Sequence, residues 1–226
     1  MFTAENLFDL SQTEHAALLE GDGPAWEALA RISKYLAANV QAANHATVSP
    51  KAVIGENVFL SEGTVVEPGA TIDGPAIIGA NCQIRHNAYI RANVIIGDNC
   101  VIGNSCELKN ALLFNDCQVP HFNYVGDSIL GHHAHLGAGV VLSNFKSLPG
   151  NVTVQHGDDK IDTGLRKFGA LIGDHTEIGC NSVLNPGSIV GRGSVIYPNI
   201  NWRGVLAVGH IVKNTAPQEI IAKRKG

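Results

Sequence analysis

Arg91 and Lys109 stand eighteen residues apart, each directly after an aliphatic residue, Ile90 and Leu108. On a coil of eighteen residues the two cations stack along one outer edge, separated by about the 4.8 Å inter-strand spacing. A phosphate bridges such a pair, with Arg offering a fork and Lys a point charge. The competing reading is a solvated surface with scattered cations, of which Arg85 is one. A second concentration of chemistry is the run of histidines His121, His132, His133 and His135. Three His near a fourth is a set able to chelate zinc, and an unliganded surface cluster is the alternative.

The elements that must position these groups are set by a six-residue beat. Val48, Ile54, Leu60, Val66, Ile72, Ile78, Ile84, Ile90, Ile96, Ile102 and Leu108 are branched aliphatics six apart. That spacing is too short for a helical repeat and fits one short face of a parallel β-solenoid, three faces closing a triangular coil. Four residues after each beat stands a small residue suited to an inward corner, as at Thr64, Ala70, Ala76, Cys82, Ala88 and Cys100. Gly55, Gly79, Gly97 and Gly103 follow the beat directly, which predicts turns of unusual φ at these glycines.

Composition bounds the function. A chain of 226 residues suits one solenoid with a small appendage. A net charge of −4 argues against nucleic acid as the main partner. No stretch approaches the roughly 20 apolar residues of a membrane span, and no basic-then-apolar leader follows Met1, so a cytoplasmic address is expected. Cys82, Cys100 and Cys106 fall on small corner positions and read as packing, because no CxxC pair is present.

Residues 1–45 break the beat and predict a helical cap. Ser11 and Glu14 have capping-box spacing, Pro24 opens a second segment, and Trp26, Leu29, Ile32, Tyr35 and Leu36 form an apolar stripe. Such helices shield the first coil or join subunits. The solenoid itself is expected over 46–212, with a tail over 213–226. After Leu108 the beat slips twice by one residue, continuing at Leu113, Val119 and Val125 and then at Leu130, Leu136 and Leu142. It vanishes between Ser143 and Gly169 and resumes at Ile172, predicting an excursion loop over about 144–168.

The segments Val119-Pro-His-Phe-Asn-Tyr-Val-Gly-Asp127, Leu136-Gly-Ala-Gly-Val-Val-Leu-Ser-Asn144 and Asp162-Thr-Gly-Leu-Arg-Lys-Phe-Gly-Ala170 carry a family resemblance. They resemble the acetyltransferase domain of the bifunctional glucosamine-1-phosphate N-acetyltransferase/uridylyltransferases. They also resemble the C-terminal domain of archaeal sugar-1-phosphate nucleotidylyltransferases with amino-sugar acetyltransferase activity. The resemblance implies an all-β, left-handed parallel β-helix of hexapeptide repeats, usually a homotrimer. It implies acetyl-CoA as co-substrate and an amino-sugar 1-phosphate as acceptor. His121 becomes the general base, a role suited to an imidazole titrating near neutrality. Arg91 and Lys109 match phosphate-contacting positions, Tyr124 lies beside the acceptor sugar, and Asn144, Lys167 and Arg166 match further ligand contacts. Ala138 and Cys180 fall where the family contacts the acyl donor, and a backbone N–H of Gly137-Ala-Gly is the expected oxyanion donor.

The chain departs from that pattern at His135, where the bacterial family has Asn, and at Phe145, where it has Tyr, so the acceptor pocket differs. Residues 1–45 carry no Gly-rich nucleotidylyltransferase loop, so uridylylation is expected from a separate protein. β-Helices also host zinc carbonic anhydrases, but the residues around His121 follow the acetyltransferase motif and no metal is expected at the catalytic site. A noncatalytic assembly subunit that binds sugar phosphates is the remaining alternative. The cationic tail Lys223-Arg224-Lys225 is either a contact for CoA phosphates or a solvated end.

Overall fold

The computed structural model describes residues 2–214 and 221, and it is a parallel β-helix. Along the coil most strands have two to four residues, alternate with tight corners and pair in parallel with the strand one coil away. One face forms a nine-stranded sheet running from Thr47–Val48 to Ile211–Val212. The other two faces are joined in a 15-stranded sheet. The aliphatic beat fills the interior: Leu60, Val66, Ile72, Ile78, Ile84, Ile90, Ile96, Ile102 and Leu108 are buried in one continuous core with the small corner residues.

The two slips explain why two faces merge. Early coils are eighteen residues long, with Thr71 paired to Tyr89. In the slipped coils partners are seventeen apart, as for Val94 with Ala111 and Lys109 with Gly126. One corner residue is missing in each. The short strands on either side therefore fuse into the seven-residue strands Glu107–Leu113 and Tyr124–Leu130. These two longest strands carry Lys109 and Tyr124.

The glycines after the beat serve a purpose different from the one expected. Gly79 and Gly103 have ordinary φ, and the left-handed conformation falls two residues later, on Asn81 (φ 55°) and Ser105 (φ 53°). What excludes a side chain after the beat is the neighbouring coil. A Cβ on Gly103 would lie 1.5 Å from the Pro120 carbonyl oxygen, and one on Gly79 would lie 2.7 Å from the carbonyl carbon of Gly97. The coils are stacked too closely there for any other residue.

The N-terminal segment is helical, but it lies along the side of the coil and not over its first turn. Helix Ala28–Asn39 buries Ala28, Leu29, Ile32 and Leu36. With Phe8, Leu18, Leu19 and Trp26 these form a second apolar cluster against Ile95, Leu112, Ile129, Leu171 and Ile189, the outward residues of one face. Strands such as Val94–Ile96 and Ala170–Ile172 are consequently buried on both sides. The expected Ser11 capping box is absent: Ala16–Leu19 is a short 3-10 turn without a side-chain cap, ordered by burial of Leu18 and Leu19. Strand pairing begins at Ala43–Asn44, slightly earlier than the beat implies. Truncating Leu112, fully buried between coil and helices, to Ala is expected to cost about 2–5 kcal/mol in urea unfolding. A loss below about 1 kcal/mol would mean that the helical layer is not docked in solution.

The excursion leaves the coil at Asn144 and returns at Phe168, whose N–H donates to the Asn144 carbonyl (3.0 Å). It contains an antiparallel hairpin, Thr153–His156 with Asp159–Asp162. Val152, Val154 and Phe168 bury into the second cluster, and the Trp26 ring lies 6.0 Å from that of Phe168. Helices and loop thus brace each other across the same face. No helix among the described residues is long and apolar enough to cross a membrane. Lys223, Arg224 and Lys225 lie outside the described residues.

Candidate functional site

Arg91, Lys109, Tyr124, Asn144, Phe145 and Lys167 line one cleft of about 240 Å³. Each arrives from a different part of the chain, and the register explains how. Glu107–Leu113 pairs with Tyr89–Ile90 on one side and with Tyr124–Leu130 on the other. The Arg91 N–H donates to the Leu108 carbonyl (2.9 Å), which sets Arg91 one coil from Lys109. The next coil supplies Tyr124 and the following one Asn144, while an antiparallel bridge between Phe145 and Lys167 closes the loop over the cleft.

Charges within the cleft are partly compensated by two acids. The Arg91 guanidinium donates to Glu107 Oε1 (2.9 Å), an ion pair about 40 % exposed on both sides. That carboxylate holds the guanidinium pKa above its ordinary value, so Arg91 stays cationic. Lys109 Nζ lies 3.6 Å from Asp127 Oδ2, and here the carboxylate is only 8 % exposed. Asp127 also accepts from the amides of Asn110 (3.0 Å) and Asn144 (2.5 Å). A buried carboxylate with this many donors fixes the groups around it. Lys167 has no ion-pair partner among the described residues, so three cations face two carboxylates. A phosphate monoester, carrying about 1.5 to 2 negative charges near neutral pH, complements that excess.

Tyr124 connects this charge network to the open side. Its hydroxyl accepts from the Asn144 amide (3.2 Å), and burial raises its pKa, so the O–H is retained as a donor toward a ligand. Tyr124→Phe is expected to lower kcat/KM for a bound sugar phosphate by up to about tenfold, the size of one net hydrogen bond. Steady-state assays of the two proteins check this, and an unchanged kcat/KM would remove Tyr124 from the ligand contacts.

His121 is exposed at the end of strand Gln118–His121 on the nine-stranded face, across the Phe122–Asn123 corner from Tyr124. Its own backbone N–H donates to the buried Asn123 side chain (3.0 Å), which ties the corner down. The His121 carbonyl accepts from Gly139 N–H (2.9 Å), and the Ala138 carbonyl accepts from Asn181 N–H (2.8 Å). His121, Ala138 and the exposed Cys180 consequently follow one another along a single corner edge on three successive coils. Between Ala138 and Cys180 the coils approach closely, since a Cβ on Gly137 would lie 2.7 Å from the Cys180 nitrogen.

Two expected contacts stand elsewhere. Arg166 is engaged within the excursion, donating to the Gly150 carbonyl (2.5 Å) and lying over the Phe145 ring at 5.8 Å. It braces the loop and does not line the cleft. His135 projects from the nine-stranded face, with Nδ1 2.6 Å from Glu177 Oε2. Among the histidines, His132 and His133 gather at the corner that precedes strand His135–Leu136, with ring centroids 4.2 Å apart. Asp127 and Glu107 carry no role in the motifs of the resemblance. Asp127 closes the Val119–Asp127 motif, and its burial at a slipped corner is the signal that distinguishes it.

The GMPPB C-terminal domain family model matches residues 72–161. A bifunctional sugar-1-phosphate nucleotidylyltransferase/acetyltransferase of Sulfurisphaera tokodaii is 35% identical over 92 residues, covering 41% of this chain and 23% of the relative. The bifunctional protein GlmU of Methanococcus vannielii is 36% identical over 93 residues, 41% of this chain and 22% of the relative. The chain therefore spans less than a quarter of the length of these curated relatives. Among solved structures, the UDP-N-acetylglucosamine acyltransferase of Campylobacter jejuni is 18% identical over 71% of this chain and 69% of that one, with a TM-score of 0.43. The family match includes Arg91, Lys109, His121, Tyr124 and Asn144 and ends before Lys167 and Cys180. This chain is related in sequence to the GMPPB C-terminal domain over residues 72–161 and, over 41% of its length, to part of the bifunctional sugar-1-phosphate nucleotidylyltransferase/acetyltransferase and GlmU proteins.

Proposed function

We propose that the chain is an N-acetyltransferase that transfers the acetyl group of acetyl-CoA to the amine of an amino-sugar 1-phosphate, with residues 46–212 as the catalytic unit. The observation that carries this reading is the convergence of Arg91, Lys109, Tyr124, Asn144 and Lys167 on one cleft with an excess of positive charge. Phosphate sits between Arg91 and Lys109, with Lys167 above it on the returning loop. His121, at the adjoining corner, takes the proton from the acceptor ammonium. The freed nitrogen pair attacks the thioester carbonyl, and collapse of the tetrahedral adduct breaks the C–S bond; protonated His121 returns its proton to the thiolate, the adduct nitrogen loses its second proton to solvent, and CoA leaves as the thiol. The corner edge through Ala138 and Cys180 offers backbone N–H and C=O groups to the donor. Positioning of the two substrates supplies most of the acceleration.

Sugar phosphates of the glucosamine and galactosamine types both fit this scheme, and Phe145 is the cleft residue that departs from the related acetyltransferases. The catalytic unit is a homotrimer in the cytoplasm, and a separate nucleotidylyltransferase converts the product to a nucleotide sugar. Purified chain with acetyl-CoA and glucosamine 1-phosphate or galactosamine 1-phosphate is expected to release free thiol in proportion to N-acetylated sugar phosphate. Binding of these ligands without thiol release would instead identify a noncatalytic sugar-phosphate subunit. Size-exclusion chromatography with light scattering tests the trimer.

A further inference from the structure

The corner that follows the helix-covered face repeats one backbone conformation on every coil. The positions in left-handed φ are Gly63, Asn81, Asn99, Asp116, His133, His175, Gly193 and Gly209, with φ between 54° and 75°. Glycine and asparagine are the least costly residues in this conformation. On three successive coils the chain instead carries Asp116, His133 and His175, each a metal-ligating side chain. Backbone hydrogen bonds stack them, with His133 N–H donating to the Asn115 carbonyl (3.2 Å) and His175 N–H to the His132 carbonyl (2.8 Å).

His132 joins them from the adjacent position. Its Nδ1 lies 3.5 Å from Asp116 Oδ2 and 3.0 Å from the Asn115 carbonyl, and the side chain is only 15% exposed, so the ring is held in place. Asp116, His132 and His133 present ligand atoms within 4.8 Å of one another. The His175 ring stacks on His133 at 5.3 Å and meets His132 edge-on at 5.4 Å. One carboxylate and three imidazoles are a donor set for borderline transition metals. The site lies on a different edge of the triangle from the His121 corner, and none of its residues lines the Arg91–Lys109 cleft.

We propose that this corner binds a divalent transition-metal ion of the zinc or nickel class, with Asp116, His132 and His133 as ligands and His175 supplying the fourth. Metal–nitrogen and metal–oxygen bonds of about 2.0–2.2 Å draw the exposed His133 and His175 rings inward about the anchored His132. The ion cross-links three coils where the N-terminal segment is moored. There Asp174 accepts from Asp9 N–H (2.7 Å) and donates its own N–H to the Leu7 carbonyl (3.1 Å), and Asn115 N–H donates to the Gln12 carbonyl (3.1 Å). Metal occupancy therefore secures the corner that holds the helical layer.

The test titrates Zn²⁺ and Ni²⁺ into chelator-stripped full-length chain by calorimetry, with Co²⁺ absorption as a second readout. One equivalent per chain, visible Co²⁺ ligand-field bands and a zinc-dependent rise in Tm are expected. The double variant His133→Asn/His175→Asn restores the residue type found at Asn81 and Asn99. Its metal-free Tm is expected to equal or exceed that of the parent, while zinc affinity falls at least tenfold and the Tm rise disappears. Asp116→Asn is expected to weaken binding in the same direction. Zinc binding of unchanged stoichiometry and affinity in the double variant, or no saturable binding by the parent, overturns the proposal. Thiol release from acetyl-CoA by the double variant is expected to match the parent, so failure here and failure of the acetyltransferase reading are separate results.

Discussion

His121→Ala is expected to lower kcat for acetyl transfer by a factor on the order of 10² to 10⁴, the usual contribution of a positioned general base. KM for the sugar phosphate is expected to change little, because the phosphate is held by Arg91, Lys109 and Lys167 in the cleft that His121 does not line. The amine cannot attack while protonated, so without the imidazole only the small fraction of free amine in solution reacts. Raising the pH supplies more free amine, and the variant is therefore expected to recover part of its rate at alkaline pH while the parent gains less. Thiol release across a pH series for both proteins measures this directly. Stability is not expected to move, since the His121 side chain is exposed and its backbone contacts to Asn123 and Gly139 survive the substitution. Equal turnover by variant and parent would exclude His121 as the base.

The interior of this molecule was legible because every coil repeats the same local demand. An aliphatic beat and a small corner residue recur at fixed spacing, and neither depends on distant sequence. The site was legible as far as that spacing held: Arg91 and Lys109 are eighteen apart and stack as expected. The role of Asp127 is hidden from the sequence because it reaches Lys109 only through a seventeen-residue coil, in which a missing corner residue sets Lys109 opposite Gly126. The position of the helical layer is hidden for a related reason. Outward residues such as Ile95, Leu112 and Ile189 are apolar, a signal present in Val94-Ile95-Ile96 and Ser188-Ile189-Val190, but their partners lie near the N-terminus. The excursion likewise separates His175 from His133 in sequence while the coil stacks them. Periodic, local constraints can be read along a chain, whereas contacts that depend on slips and insertions require the register.

Lys109→Ala is expected to lower kcat/KM for an amino-sugar 1-phosphate by roughly 10- to 150-fold, corresponding to the loss of about 1.5–3 kcal/mol from a hydrogen bond between charged groups. Lys109 has two tasks in the cleft, since it faces the phosphate and also neutralises the buried Asp127. Removing it abolishes the local excess of charge, from three cations against two carboxylates to two against two, and leaves Asp127 with only the Asn110 and Asn144 amides. A dianionic ligand then meets an uncompensated carboxylate in a partly desolvated site, where repulsion is screened less than in bulk water. The loss should therefore appear in KM, and rising ionic strength should raise KM in the parent more than in the variant, narrowing the difference between them. The double variant Lys109→Ala/Asp127→Asn removes the stranded charge together with its partner. It is expected to recover part of the loss for the phosphorylated acceptor, because the repulsion goes while the missing cation stays missing. With an unphosphorylated amino sugar as acceptor, Lys109→Ala should cost less than threefold, since the attraction it removes is to the phosphate. Equal losses for phosphorylated and unphosphorylated acceptors would assign Lys109 to holding the cleft together and not to recognising its ligand.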